Sequence, residues 1–489
     1  MEQQYDVIIA GSGVAGMTAA LHLDSRLSVL LLSKKELMLC NTALAQGGVA
    51  AVTDRQHDCV ESHIHDTFVA GGFRNDPEST RILAEEGPSD VLNLLQYGVD
   101  FDKAPDGSFD LTLEGGHTHR RILHHKDCTG REIAEKLAAA VKARPNITVL
   151  EEAPVCAVEK VNGGFWLLVR QGGEDRAFSG RRLILATGGI GQVYQYTTNP
   201  EIATGDGIAF AHRLGARIKN LHLVQFHPTA FHGENSRECF LISESVRGEG
   251  AVLLNCERER FMHRYDSRLE LAPRDVVSRS ILKEQQRTGS DKFYLDISGE
   301  DPDFVKKRFP MIYSHVLEAG YDMTKGPIPV YPCQHYLMGG IDVDTEGRTT
   351  VDRLYACGEC AHTGVHGNNR LASNSLLEAL VFGRRIAEEI NAKSPEAGPI
   401  EPYTFPDSTN GAPVPEELRA EVRGIMQRAC FVTPDPAGAK QGLARVSELK
   451  EELENGSFRR EPEDVQTLSL ITVASIILKE IAEKGTDTK

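Results

Sequence analysis

A glycine-rich turn near the start of the chain has the residue types and spacing of a phosphate-binding loop. It reads Gly-Ser-Gly-Val-Ala-Gly at 11–16, between an apolar, β-branched run at 6–10 and helix-forming residues at 17–23. A second apolar run follows at 28–32. Such a turn brings backbone N–H groups and a helix N-terminus to a pyrophosphate. The segment predicts a strand-turn-helix-strand unit that binds a nucleotide cofactor through Gly11, Ser12, Gly13, Val14, Ala15 and Gly16.

The end of the second predicted strand departs from the usual form of this unit. An acidic residue normally stands there to bind ribose hydroxyls, but this chain has Ser33 followed by Lys34. Ser33 can hydrogen-bond a ribose more weakly, and Lys34 can lie near an adenine or a phosphate. These two residues alone do not separate NAD from FAD.

Residues 39–51 are small and include the pair Gly47-Gly48. Glycine permits a close approach of backbone to a flat ring, and a flexible loop is the alternative. A second glycine turn, Ala-Thr-Gly-Gly at 186–189, ends another predicted strand. Asp206 begins the helix after it, where it either caps the helix or hydrogen-bonds the cofactor.

Histidine and arginine are densest at 114–126, where Glu114 is followed by Gly-Gly-His-Thr-His-Arg-Arg. The segment lacks an HExxH motif and a cysteine partner, so we predict no metal site. It is either an anion-facing loop in which Glu114 is the one negative charge, or a solvated basic loop. Cys357 and Cys360 form the only CxxC, and we interpret them as small buried side chains beside a functional Glu359.

Three further polar stretches stand among apolar residues, at 225–229, 243–249 and 366–375. A predicted helix begins near Pro273. In its first turn, the negative charge of Asp275 is favourable to the helix dipole, whereas the positive charge of Arg274 opposes it. Arg274 therefore has either a role outside the helix or a surface salt bridge. The turn before Ser375 opens another long helix, whose N–H groups can hold a polar ring edge.

Composition bounds the class of protein. The 489 residues are 40% hydrophobic and 25% charged, with a formal net charge of −16, which favours a folded enzyme over a disordered chain or a nucleic-acid binder. We expect no membrane span, because no run of about eighteen apolar residues is evident, and no signal peptide. Ten scattered cysteines fit a reducing compartment.

Together these motifs resemble the fumarate reductase/succinate dehydrogenase flavoprotein superfamily over nearly the whole chain, and its aspartate-oxidising members most of all. The matching stretches are GSGVAG, NTALAQGGVAAV, EGGHTHRRILH, ATGGIGQVYQYTTNP, GDGIA, QFHPTAF, RGEGA, LAPRD, HYLMGG and HGNNRLASNSLLEAL. The implied fold class is α/β, with a Rossmann-like FAD-binding domain at 1–220 and 336–405 interrupted by an α+β capping domain at 221–335. A proline- and glycine-rich linker at 395–415 precedes three amphipathic stretches, 416–430, 436–453 and 463–484, which predict a C-terminal helical bundle within 406–489.

The resemblance also implies roles for single residues. His227, His335 and Arg370 resemble the cationic groups that bind substrate carboxylates, and Ser243 with Glu244 stands where the family has a Thr-Glu pair. Arg274 resembles the proton-transfer arginine; alternatively it orients the substrate while the amine loses its proton to water or to Glu244. The implied flavin contacts are Ser33, Lys34, Asn41, Thr42, Ala43, Leu44, Ala45, Gln46, Gly47, Gly48, Asp206, Glu359, Ser375 and Leu376.

Two positions distinguish members of this superfamily. Asn41 stands where respiratory members carry a histidine bonded to the flavin, and an amide cannot form that bond, so FAD is expected to be non-covalent. Glu114 offers a carboxylate to an ammonium, which aspartate has and succinate lacks.

The resemblance implies FAD-dependent oxidation of L-aspartate to iminosuccinate, with oxygen or fumarate as acceptor. This is the first step of NAD synthesis, in the cytoplasm, ahead of quinolinate synthase. Whether this protein makes transient contact with quinolinate synthase stays an open question. The alternatives are a soluble fumarate reductase or respiratory flavoprotein subunit, and a non-catalytic flavin-binding scaffold, which has no use for a cationic cluster.

Overall fold

A computed structural model describes residues 3–234, 236–394, 398–406, 411–455 and 459–484. The strands are β1 (Gln3–Ala10), β2 (Val29–Leu32), β3 (Val49–Ala50), β4 (Ile122–Leu123), β5 (Ile147–Leu150), β6 (Val155–Val161), β7 (Gly164–Gln171), β8 (Glu174–Leu185), β9 (Ile218–Lys219), β10 (Val224–Phe231), β11 (Val252–Leu254), β12 (Phe293–Asp296), β13 (Ile328–Leu337), β14 (Gly340–Asp342), β15 (Leu354–Ala356) and β16 (Ala361–His362). The helices are α1 (Val14–His22), α2 (Val60–Ala70), α3 (Pro77–Asn93), α4 (Thr129–Lys142), α5 (Asp206–Arg213), α6 (Glu244–Gly248), α7 (Arg274–Thr288), α8 (Pro302–Arg308), α9 (Pro310–Glu318), α10 (Asn374–Lys393), α11 (Glu417–Ala429), α12 (Pro436–Asn455) and α13 (Pro462–Lys484).

The first predicted strand lies at the centre of the main sheet. This sheet has the order β5-β2-β1-β8-β7-β6, with β15 also paired to β8. β1 runs parallel to both β2 and β8, and its central residues are fully buried. A near-continuous apolar run is what a parallel strand needs when both faces of its sheet are covered.

Helices cover both faces of this sheet. On one face, α1 contacts α10 and α4, and their apolar residues form one buried cluster with those of β2. On the other face, the buried residues of β6 to β8 and α5 join those of the C-terminal helices. α1 begins at the carboxyl end of β1, so the glycine turn opens at the edge where ligands of such sheets bind.

A second, antiparallel sheet stands over that edge. Its order is β10-β13-β12-β11, and its residues form a separate buried cluster with α7, α8 and α9. β10 pairs along β13, and the register shifts next to His227. Such irregularities re-aim side chains and are common beside active sites.

The helices α11, α12 and α13 pack against one another, and α13 also contacts α5. Among the described residues, one helix, Pro462–Glu483, is by length and composition alone apolar enough to cross a membrane, and the expectation of no membrane span stays a prediction. More than half of this stretch is buried inside the fold. A helix that is apolar on all sides is typical of a protein core as well as of a membrane span.

The predicted domain boundaries stay predictions. Of the predicted linker at 395–415, residues 395–397 and 407–410 lie outside the described residues, as do residues 456–458 and 485–489 of the predicted C-terminal domain.

We predict that Gly11→Ala destabilises the protein by at least about 2 kcal/mol and lowers its cofactor content. Gly11 has φ +116°, and an added Cβ would lie 2.0 Å from the carbonyl oxygen of Ala186 on the neighbouring strand. Gly299→Ala is the control, because its Cβ would meet no atom within 4 Å. Urea unfolding measures both variants, and equal stability of the two would contradict this account of the turn.

Candidate active site

A cleft of about 920 Å³ opens at the carboxyl edge of the main sheet and runs beneath the second sheet. Its walls include the first glycine turn, the small-residue loop at 40–48, the second glycine turn at 186–189 and the start of α10. In the turn, a Cβ on Gly16 would lie 2.0 Å from the Gly11 carbonyl oxygen. Only glycines allow the helix and the strand to approach so closely.

One end of the cleft carries the polar groups that suit a ribose. Ser12 Oγ lies 2.7 Å from Ser33 Oγ, and Lys34 Nζ lies 2.8 Å from Asp206 Oδ2. Asp206 Oδ1 is buried and has no hydrogen-bond partner among the described residues. The first residue of α5 thus places a carboxylate oxygen in the position where the end of β2 lacks an acid, and this oxygen can accept from a hydroxyl. Gly205, not Asp206, is the N-cap of that helix.

The middle of the cleft is formed by the loop at 40–48 and by Glu359. Asn41 Nδ2 donates to Glu359 Oε2 at 3.2 Å, and the Leu337 N–H donates to Glu359 Oε1 at 3.0 Å. Burial raises the pKa of Glu359 to about 7. This carboxyl group is therefore poised to act as either donor or acceptor at neutral pH.

At the other end of the cleft, two arginines are held side by side by one amide. Gln225 Oε1 accepts from Arg274 Nη1 and from Arg370 Nη2, each at 3.0 Å. The Gln225 amide donates in turn to Asn369 Oδ1 at 2.7 Å. Both arginines line the cleft, and burial together with the charge of Arg274 lowers the pKa of Arg370 to about 10. Two adjacent guanidinium forks form a site for paired carboxylates.

A buried acid balances part of this positive charge. Glu244 Oε2 accepts from Arg274 Nε at 2.6 Å, and Glu244 Oε1 lies 3.0 Å from Arg247 Nη2. Burial alone would raise the pKa of Glu244, but the two arginines hold it below its usual value. Glu244 is therefore an anion that orients Arg274. Of the two alternatives for Arg274, the surface salt bridge is wrong, because its partner is a buried acid.

Glu114 forms the second acidic group of the site. It is buried, and it accepts from Ser373 Oγ at 2.5 Å and from Ser245 Oγ at 3.1 Å. Burial, and then the negative charge of Glu244, raise the pKa of Glu114. Ser373 has φ +61°, a strained conformation that persists where the surroundings impose it. A cation placed beside Glu114 would relieve both the desolvation and the repulsion.

Of residues 114–126, only Glu114 lines the cleft. Arg121 is fully buried and forms ion pairs with Asp58 and Asp66 at 2.7 and 2.6 Å. The segment at 114–126 therefore matches neither of the two sequence interpretations, an anion-facing loop or a solvated basic loop. Arg121 anchors α2, and only Glu114 faces the cleft.

His227 and His335 lie on the paired strands β10 and β13, with ring centroids 5.0 Å apart. Burial, followed by the charge of Arg274, lowers the pKa of both well below its usual value. In this arrangement they are neutral hydrogen-bond donors and not cations. His335 Nδ1 lies 2.7 Å from Thr198 Oγ1, while His227 Nε2 is buried without a partner among the described residues.

The structure brings nearly all the predicted site residues to this one cleft. Gly16 and His227 are the two that do not line it; Gly16 packs against Gly11, and His227 lies against His335. The predicted contacts that line the cleft are Gly11, Ser12, Gly13, Val14, Ala15, Ser33, Lys34, Asn41, Thr42, Ala43, Leu44, Ala45, Gln46, Gly47, Gly48, Glu114, Asp206, Ser243, Glu244, Arg274, His335, Glu359, Arg370, Ser375 and Leu376.

Sequence reasoning missed four residues that hold the charged groups in place: Gln225, Ser245, Arg247 and Ser373. Gln225 stands two positions before His227 on the same strand, so the alternation of β-strand side chains could have identified it. Ser245 and Arg247 lie in a stretch already marked as polar. Ser373 carried no signal of its own, because its role depends on a backbone turn at the start of α10.

The fold and the cleft define an FAD-binding protein with a separate pocket for a small dianion. The FAD binding domain family matches residues 6–376. By sequence, the chain is 46% identical to the L-aspartate oxidase of Clostridium perfringens, over 80% of this chain and 88% of that protein. It is 40% identical to L-aspartate oxidase 1 of Ralstonia nicotianae, over 97% and 92% of the two chains.

By structure, the chain is similar to a mutant of E. coli quinol fumarate reductase FrdA, with a TM-score of 0.88 and 28% identity. The similarity covers 99% of this chain and 90% of that one. The chain therefore belongs to the L-aspartate oxidase family, within the FAD binding domain family.

We predict that Gln225→Leu lowers kcat/KM for the substrate by about 10- to 100-fold, because it removes the one acceptor that both arginines share. FAD content should be unchanged, since Gln225 does not line the cleft. Gln285→Leu is the control, because Gln285 binds only the Tyr331 hydroxyl in the described structure. Steady-state kinetics on both variants measure the effect, and equal losses would contradict a specific role for the bridge.

Proposed function

We propose that this protein is an L-aspartate oxidase. It oxidises L-aspartate to iminosuccinate with FAD as cofactor, and oxygen or fumarate takes up the electrons. The reaction is the first step of NAD biosynthesis. The observation that carries the proposal is a pair of cleft arginines beside a buried acid, Glu114, that has no ion-pair partner among the described residues, in a chain 40–46% identical to L-aspartate oxidases over most of its length.

The arginine pair supports dicarboxylate binding. Arg274 and Arg370 each keep guanidinium N–H groups that Gln225, Glu244 and Ser375 do not use. Arg370 Nε is buried without a partner among the described residues. Each fork can therefore bind one carboxylate of a four-carbon diacid, while His335 donates from the opposite wall. Held in this way, the substrate has a single orientation, and orientation contributes much of the acceleration of such reactions.

The acid supports an amine in the substrate. Glu114 has two serine donors, but no cation lies within ion-pair distance of it in the part of the chain that the structure describes. An ammonium group fills that position, whereas succinate and fumarate offer none. Because its pKa is raised, Glu114 is also better suited than Glu244 to take the proton that the amine loses.

The cofactor end of the cleft fits FAD. Its glycine turn, the free Asp206 oxygen and the Asn41–Glu359 pair supply N–H groups for a pyrophosphate and acceptors for hydroxyls. When bound, FAD supplies the acceptor for the hydride that leaves C2 of aspartate. Asn41 stands at the loop position of the covalent histidine in respiratory relatives, so the flavin is held without a covalent bond.

Three finer points belong to the same proposal. The reaction takes place in the cytoplasm. The product passes to quinolinate synthase through a transient contact. The FAD-binding domain comprises residues 1–220 and 336–405, the capping domain residues 221–335 and the helical domain residues 406–489, and the capping domain excludes water from the substrate.

A fumarate reductase is the second candidate, and the structural similarity to quinol fumarate reductase favours it. The two functions share the dicarboxylate pocket and differ in the amine. Aspartate-dependent peroxide formation identifies the oxidase, and viologen-driven fumarate reduction without aspartate turnover identifies the reductase.

We predict that anaerobic mixing with L-aspartate bleaches the flavin absorbance of the purified protein. Denaturation of a separate, oxidised sample should release all the yellow colour into the filtrate, because Asn41 cannot bond to the flavin. Succinate at the same concentration is the control. Failure of aspartate to bleach the flavin would exclude the oxidase, and colour retained on the denatured chain would exclude non-covalent binding.

We predict that Glu114→Gln lowers kcat/KM for aspartate by about 100-fold and leaves fumarate reduction within about three-fold of wild type, since only aspartate loses a charge-assisted bond. Glu318→Gln, an exposed acid at the rim of the same cleft, is the control.

In the wild type, kcat/KM for aspartate should fall as the pH drops through the raised pKa of Glu114, because only the ionised carboxylate pairs with the ammonium. The variant should lack that fall, and equal losses on both substrates would refute the ammonium role.

A further inference from the structure

Three arginines converge outside the active site, where α11 packs against the turn at Gly191–Val193. Arg419 and Arg423 stand four residues apart on α11, and so lie on one face of the helix. Arg237 comes from the loop that follows β10. We call these three residues the arginine triad.

Two members of the arginine triad are fixed by the same residue. Arg423 Nε donates to the Gln192 carbonyl oxygen at 2.9 Å, and Arg237 Nη2 donates to Gln192 Oε1 at 2.9 Å. Arg419 Nε donates to Thr467 Oγ1 at 2.7 Å, and its Nη2 donates to the Glu463 carbonyl oxygen. These acceptors are all neutral, so they position the guanidinium groups without cancelling their charge.

The arginine triad lacks the acidic partners that other arginines of this region have. Arg445 pairs with Glu421, and Arg459 pairs with Asp464. Within the described residues, no carboxylate lies within 4.0 Å of Arg237, Arg419 or Arg423. Glu238 follows Arg237 in the chain and its charge partly offsets the effect of burial on the Arg237 pKa, but its carboxylate accepts from the Gln192 amide nitrogen at 3.5 Å.

Burial and the repulsion of neighbouring arginines act on Arg237 and Arg423. Burial, and then the charges of Arg237 and Arg419, lower the pKa of Arg423 to about 10. Burial also lowers the pKa of Arg237. Arg237 Nε is buried and has no hydrogen-bond partner in the described part of the chain. A partly desolvated cluster of like charges is unfavourable unless an anion joins it.

From this geometry we propose that the arginine triad is a binding site for a multiply charged oxyanion of the phosphate class, either free phosphate or a phosphate monoester. Guanidinium forks match the tetrahedral oxygens of phosphate, and three of them match its charge better than that of a single carboxylate. The site is distinct from the dicarboxylate pocket, which is formed by Arg274 and Arg370.

Occupation of this site would affect the active-site cleft. Arg237 is joined to Glu238 and Cys239, both of which line the cleft wall, while α11 belongs to the C-terminal helices. A bound anion would therefore tie this loop to α11 and reduce its motion relative to the cleft.

Isothermal titration of the FAD-loaded protein with inorganic phosphate tests the proposal. Ionic strength is held constant with chloride, and succinate is present at saturation so that phosphate cannot bind to the cleft arginines. Arg423→Gln should weaken phosphate binding by at least about ten-fold, through loss of one charge-assisted contact. Arg428→Gln, an exposed arginine on the same helix, makes the same change of charge and should retain the wild-type affinity.

Arg423→Lys is the second variant, because it keeps the charge and loses the fork; it should bind phosphate more weakly than wild type even if Arg423→Gln does not fold. Glycerol phosphate in place of phosphate identifies the source of the anion: tighter binding of the ester indicates an organic phosphate, and equal binding indicates the free ion. The proposal fails if the wild type binds no phosphate, if succinate abolishes binding, or if the Arg423 and Arg428 variants bind equally.

Discussion

The site depends on the burial of opposite charges next to one another in one pocket. Arg274 and Arg370 would repel each other if the Gln225 oxygen and the Glu244 carboxylate did not lie between and beside them. Breaking such a buried arrangement on one side typically costs about 3–5 kcal/mol, because a charge is left without a partner. The same arrangement leaves Glu114 with two serine hydrogen bonds and, among the described residues, no cation within ion-pair distance.

The main sheet and the second sheet meet at this pocket, and single side chains connect the cofactor loop to the substrate groups. Gln46 of that loop accepts from the Ser243 N–H at 3.0 Å, and Ser373 binds both Glu114 and the Gly48 N–H. A displacement of the loop therefore reaches the acidic groups directly. The cleft is one continuous site in which cofactor and substrate positions are set by the same backbone.

Much of the fold could be predicted from the sequence because its signals are local. The glycine turn and the three C-terminal helices follow from residue spacing and periodicity, and the structure has them within a few residues of their predicted bounds. What the apolar helix α13 does is decided by non-local contacts. Whether an apolar helix such as α13 spans a bilayer or fills a core depends on what packs against it, and here α11, α12 and α5 do.

By itself, the sequence determined the chemical types present in the site: a phosphate-binding turn, an amide in place of a covalent histidine, an acid among basic residues and an arginine that opposes its helix dipole. Only the tertiary structure decided which of these act together. In the tertiary structure, Arg121 is buried in an ion pair away from the cleft. Burial lowers the pKa of His227 and His335. The charged groups of the site also contact residues that the sequence did not single out, which are Gln225, Ser245, Arg247 and Ser373. The reason is physical: the charge state and partners of a buried group depend on residues that are distant in sequence and adjacent in space.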